Sequence, residues 1–166
     1  MHTVSKICKI PEKSIIGNGF GKIDYFDTFK IQIPTNNLPV DIITSEIFES
    51  PKWVDALMKI RDSIVGVFGL KTTESYSDKS KTTYSIGDRI AYFKILNRNS
   101  NEIVMAENDK HLNFRTSVMV DGDSIYLSTI VQFNNIFGRL YFFPVKPFHQ
   151  LIIKTSLKGY SKSRIN

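Results

Sequence analysis

The sequence predicts an α+β fold: a curved antiparallel sheet wrapped around a long C-terminal helix, with two helices inserted after the first strand. Three observations predict it. Residues 101 to 134 alternate apolar and polar through three strand-length runs, with turn chemistry at Asn108-Asp109-Lys110 and Asp121-Gly122. Helical spacing appears between Trp53 and Phe68, and again from Phe148 onward. The order is strand, helices, strands, terminal helix, which suits a sheet that buries one face under the last helix.

The 101–134 stretch sets the two faces. Side chains along a strand alternate sides, so Leu112, Phe114, Val118, Ile125, Leu127, Val131 and Phe133 share an apolar face. His111, Arg115, Ser117, Tyr126, Ser128, Gln132 and Asn134 share the other. With Asp121-Gly122 as a two-residue turn, Val118 stands opposite Ile125, Phe114 opposite Thr129 and Leu112 opposite Val131. A turn at Asp109 puts Glu102 and Val104 on the Arg115 face, and Ile103 and Met105 on the apolar one.

The remaining elements follow in order. Residues 1–22 are a lead-in with Pro11 and the glycine-rich run Gly17 to Gly21. The first clear strand is 24–33, where Tyr25, Phe29, Ile31 and Ile33 alternate with Phe26, Thr28, Lys30 and Gln32 until Pro34 stops the ladder. Thr44 or Ser45 can cap a short helix carrying Ile47 and Phe48. Ser50 as N-cap, Pro51 at the first helical position and Gly69 past the end mark a second helix, with Trp53, Leu57, Ile60, Ile64 and Phe68 on one face. Residues 71–86 are polar and aperiodic, a long loop with room for a short edge strand near Tyr84. A strand covers 89–96, and a turn at 97–100 leads into the three-strand stretch. The last helix starts near Pro147 after a break at 144–147, ends at Gly159, and leaves a basic tail over 160–166.

The 166 residues suit a single domain, with 42% apolar and 23% charged residues. No apolar run is long enough to span a bilayer, and the N-terminus has no signal-peptide pattern, so the expectations are no membrane insertion and a cytoplasmic location. Cys8 is the one cysteine, which excludes an internal disulfide and a cysteine-rich zinc site. The net charge of +6 is dispersed, and no nucleic-acid-binding motif accompanies it, so no nucleic-acid partner is expected.

The chemical candidates are few. His111 and Arg115 share a strand face near Asp109, Glu102 and Glu107, but they point away from the apolar face, so bracing of the turn is their expected role. His2, His111 and His149 have no metal-ligand spacing. The glycine-rich run lacks the Lys-Ser/Thr of a phosphate loop, and no nucleophile elbow is present. No metal, no cofactor and no catalytic residue are therefore assigned.

Several segments carry a resemblance: Asp24-Tyr25-Phe26-Asp27-Thr28-Phe29, Pro51-Lys52-Trp53-Val54, Glu107 through Arg115, Gly138-Arg139-Leu140-Tyr141, and Pro144 through His149. With these, nearly the whole chain resembles a bacterial domain-of-unknown-function family of the START-like (SRPBCC, helix-grip) superfamily. The resemblance implies a cavity between the sheet and the terminal helix, used by relatives for small apolar molecules. It brings no catalytic residue. The expected ligand-binding walls are Phe93, Phe114, Val118, Leu127, Val131, Tyr141 and Leu151. The expected function is binding of a small hydrophobic ligand. The alternatives are a cyclase- or hydrolase-like enzyme in the same cavity, which needs an inward-facing His, Arg or carboxylate, or a protein-interaction module. The sequence leaves the oligomeric state open.

Overall fold

The computed structural model describes residues 2–49 and 81–164, with Asp55, Lys59, Asp62 and Gly66 between them. Among the described residues seven strands form one sheet: β1 (Ser5–Ile7), β2 (Tyr25–Gln32), β3 (Arg89–Ile90), β4 (Phe93–Arg98), β5 (Glu102–Asn108), β6 (Leu112–Asp121) and β7 (Ser124–Phe133). The order across the sheet is β1-β2-β7-β6-β5-β4-β3, and each pairing is antiparallel. Helix α1 (Val40–Phe48) follows β2, and α2 (Ile136–Ser163) ends the chain. The helix expected over 50–69 lies outside the described residues, apart from Asp55, Lys59, Asp62 and Gly66, each of which is helical.

The alternation read from the sequence holds, with a shifted register. Val120 pairs with Ile125, Val118 with Leu127, Phe114 with Val131 and Leu112 with Phe133. The loop is therefore Gly122-Asp123, not Asp121-Gly122, and Gly122 takes the positive φ of 59°. Each strand slips by an even number of residues against the expected partner, so the faces are unchanged.

The inner face carries Tyr25, Asp27, Phe29 and Ile31 of β2 beside Val131, Thr129, Leu127 and Ile125 of β7. At one end it packs solidly: Phe29, Ile31, Val118, Ile125 and Leu127 close against Ile43 and Ile47 of α1 and Ile153, Leu157 and Tyr160 of α2. The outer face is covered by the lead-in segment, where Ile16 packs on Val104 and Ile130 with Ile10, Ile15 and Phe20 around them. Arg115 reaches out to the carbonyls of Ile16 at 3.0 Å and Asn18 at 2.6 Å, and lies over the Phe20 ring. Glu102 accepts from the Ser14 hydroxyl and the Ile15 amide.

Four local expectations are corrected. Thr44 and Ser45 sit inside α1, which begins at Val40; their hydroxyls bond back to the Val40 and Ile42 carbonyls. The run 89–96 is not one strand but a hairpin, Ile90 pairing with Phe93 around Ala91 at φ 51°. α2 runs through Pro144 and Pro147 without a break, and continues past Gly159 to Ser163. Tyr160, expected in a tail, is buried at 3% exposure. Tertiary burial on either side of the prolines holds the helix together despite the lost amide donors.

The start of α2 is fixed by four contacts. Asn135 caps it, its side-chain oxygen accepting from the Gly138 amide at 3.2 Å. The same oxygen lies 3.1 Å from His111 Nδ1, and the Asn135 amide donates to the Lys110 carbonyl. Gly138 rides against the His111 carbonyl, 2.2 Å from where a Cβ would stand. The β5–β6 turn thus serves as the seat of the terminal helix, and bracing is what His111 does there.

Candidate functional site

Asp27 is the charged residue on the inner face of β2, and it is 1% exposed. Alternation forces it inward, because it shares parity with Tyr25 and Phe29. Its carboxylate accepts from the Tyr25 hydroxyl at 2.5 Å, and Tyr25 accepts from the Gln150 side-chain amide at 3.0 Å. His149 Nε2 stands 3.4 Å from one Asp27 oxygen and 3.5 Å from the other. His149 is one turn before Ile153, on the buried stripe of α2, which aims it at the sheet. Two segments 122 residues apart in the chain meet in this pair.

The surroundings are aromatic and apolar. Phe142 packs on Tyr25 and Phe133, and Phe114 meets the His149 ring edge-on. Phe93 stacks on Phe114 at 5.4 Å and touches Phe48. Thr129 pairs with Asp27 across the ladder and with Thr116 on its other side. The Thr116 hydroxyl donates to the Ser128 carbonyl. The Thr129 hydroxyl is buried and has no hydrogen-bond partner among the described residues. Buried hydroxyls are ordinarily paired; those of Ser117 and Tyr160 are likewise without a partner among the described residues, and Thr129 is the one of the three that stands opposite Asp27 in the ladder.

Burial by itself would raise the Asp27 pKa, but His149, through a hydrogen bond and its charge, and then Tyr25 and Lys6 outweigh it. The net direction is below the ordinary carboxylate range, so Asp27 is ionised. Burial, followed by the bond to Asp27, pushes the Tyr25 hydroxyl well above its usual range and keeps it a proton donor. An ionised carboxylate that holds a histidine can orient the ring and support proton transfer.

The seven expected walls separate into groups. Phe114 meets the His149 ring, Phe93 stacks on Phe114, and Val131 pairs with Phe114 and Tyr25 in the ladder. Val118 and Leu127 lie in the packed cluster with Phe29 and Leu157. Tyr141 is buried at 7%. Leu151 is on the far side of α2 and 51% exposed, so it is corrected out of the inner set; α2 turns about 200° between His149 and Leu151. Sequence reasoning missed Asp27, Tyr25, Gln150 and Thr129. A carboxylate in phase with the apolar residues of β2 was the available signal.

Elsewhere, Asp41 of α1 binds Arg98 of β4 through both oxygens, at 2.5 and 2.8 Å, and accepts from the Tyr84 amide. This pair ties α1 to the sheet. A cleft of about 400 Å³ lies by the β4–β5 turn, lined by Lys13, Asn99, Asn101, Glu102, Met119 and Asp121 among others, and none of the expected walls borders it. Among the described residues no group of three His, Cys, Asp or Glu could hold a metal ion. No described helix is long and apolar enough to cross a membrane.

Together the fold and the site define an α+β protein that keeps a buried acid–histidine pair on the apolar face of an antiparallel sheet, under its terminal helix. The chain belongs to the DUF2867 family, described as proteins of unknown function, which it matches over residues 20–156. No curated protein and no solved structure matches it.

Proposed function

We propose that this is a START-like helix-grip domain that binds a small, mostly apolar molecule between the sheet and α2, with the polar end of that molecule at Asp27, Thr129 and His149. The observation that carries the reading is the unpaired Thr129 hydroxyl beside the ionised Asp27, on a face otherwise lined by Phe93, Phe114, Val131 and Phe142. A ligand hydroxyl or amide would supply the missing partner, and the aromatic rings would hold an apolar body. The sheet-and-helix arrangement and the resemblance across the chain support the same reading.

Native mass spectrometry of freshly purified protein, followed by solvent extraction, tests it. The expected result is a stoichiometric apolar adduct that Thr129→Val depletes. Uniformly apo protein, with no thermal stabilisation by any member of a panel of hydroxylated apolar compounds, counts against the reading.

A second reading has its own observation. His149 is the inward-facing histidine that an enzyme using this space needs, and Asp27 is placed to orient it. His149, held by Asp27, would then exchange a proton with the bound molecule, in the manner of a cyclase or hydrolase. Turnover of the extracted molecule by the parent protein and not by His149→Gln distinguishes catalysis from storage or transport.

A further inference from the structure

The outer side of α2 is unlike the rest of the surface. Ile136, Leu140, Phe143, Phe148 and Leu151 project from it, each at least half exposed, with Phe143 at 83%. Ile136, Leu140 and Phe143 follow helical spacing, as do Phe148 and Leu151; with the five-residue step from Phe143 to Phe148 the group is a ridge that covers roughly 140° of the helix and about 22 Å of its length. Beyond Leu151 the same side continues as Lys158 and Lys162, both exposed, while the Lys154 ammonium turns over the Phe29 ring at 5.6 Å. Arg139, 3.9 Å from Asp24 and over the Phe133 ring, and Lys146, over the Tyr25 ring, turn toward the sheet, and α2 itself contains no Asp or Glu.

We propose that this side of α2 docks onto an anionic lipid surface, lying in the headgroup layer rather than crossing it. The ridge is a convex row of bulky side chains, which a fluid apolar layer can follow without a matching groove. The exposed lysines at its end, Lys158 and Lys162, are positive, which complements acidic headgroups. A second copy of the chain fits less well: self-pairing of the ridge brings together helices without a single acidic residue, each on a molecule of net charge +6. Nucleic acid would meet the lysines but offers no apolar layer for Phe143, Leu140 and Phe148. The surface is separate from the Asp27–His149 pair and stands whether or not the interior holds a ligand.

Flotation of the full chain with phosphatidylcholine vesicles, with and without phosphatidylserine, at low and high salt, is the test. The expected result is binding to the phosphatidylserine vesicles that weakens as salt rises. Leu140→Ser with Phe143→Ser should weaken it by roughly tenfold or more, since each apolar side chain leaves a buried position. Lys158→Gln with Lys162→Gln should weaken it by roughly twenty-fivefold at low salt, about fivefold for each charge near the surface. All four side chains are exposed, so an unchanged thermal unfolding curve confirms that the variants remain folded. Failure to float with phosphatidylserine vesicles at low salt overturns the proposal, as does equal binding to both compositions. A dimer in sedimentation equilibrium that Phe143→Ser dissolves assigns the ridge to a second copy and also overturns it.

Discussion

Asp27 and Gly138 are the residues on which the interior most depends. Removing the Asp27 charge with Asp27→Asn leaves the Tyr25 hydroxyl and His149 facing a weaker acceptor. Hydrogen bonds to a charged group contribute about 2 kcal/mol, so a loss near that size is expected in urea denaturation at neutral pH. Gly138 allows α2 to cross the His111 carbonyl; a methyl group there would stand 2.2 Å from that oxygen. Gly138→Ala must push the helix away from its seat, at about 3 kcal/mol, which thermal unfolding would register. A space-filling change that left stability untouched would mean the helix start is freer than its Asn135 cap suggests. The Gly138 constraint could not be read from the sequence, because it comes from a close approach to a backbone 27 residues earlier, between His111 and Gly138. Asp27 was legible in part, through its parity with Phe29.

Helix α2 carries two prolines in its interior, both exposed. Each removes an amide donor and crowds the carbonyl four residues back. Pro147→Ala should therefore raise stability, by up to about 3 kcal/mol, seen as a higher melting temperature. The lead-in segment is the second element with a definite prediction. Arg115 ties the Ile16 and Asn18 carbonyls to β6, so Arg115→Ala should free the glycine-rich run around Gly17 to Gly21 and make it the first site of limited proteolysis. Arg115→Lys, with one point charge in place of a fork, should protect only partly. At this scale the sequence named the strands by alternation but missed the β3–β4 reversal, because Ala91 takes a left-handed conformation that Gly or Asn usually signals.

For the whole molecule, acid sensitivity follows from Asp27 and Asp41. Burial opposes ionisation of each, but their partners, His149 and Arg98 foremost, hold both below the ordinary carboxylate range. A depressed folded pKa adds stability that is complete above the unfolded value of about 3.9 and disappears as pH falls through the folded value. The urea midpoint should thus decline steeply below about pH 4, and the decline should be shallower in Asp27→Asn and Asp41→Asn.

By itself the sequence determined the fold class, the two faces of the sheet and the strands from Glu102 to Phe133, because side-chain alternation is a local property of the chain. Only the tertiary structure decided that His149 meets Asp27, that Thr129 is left unpaired beside them, that Leu151 faces outward, and that the lead-in covers the outer face. Those facts depend on where α2 is seated and how far it is turned, and that is set by contacts between residues distant in the chain, which no local pattern records.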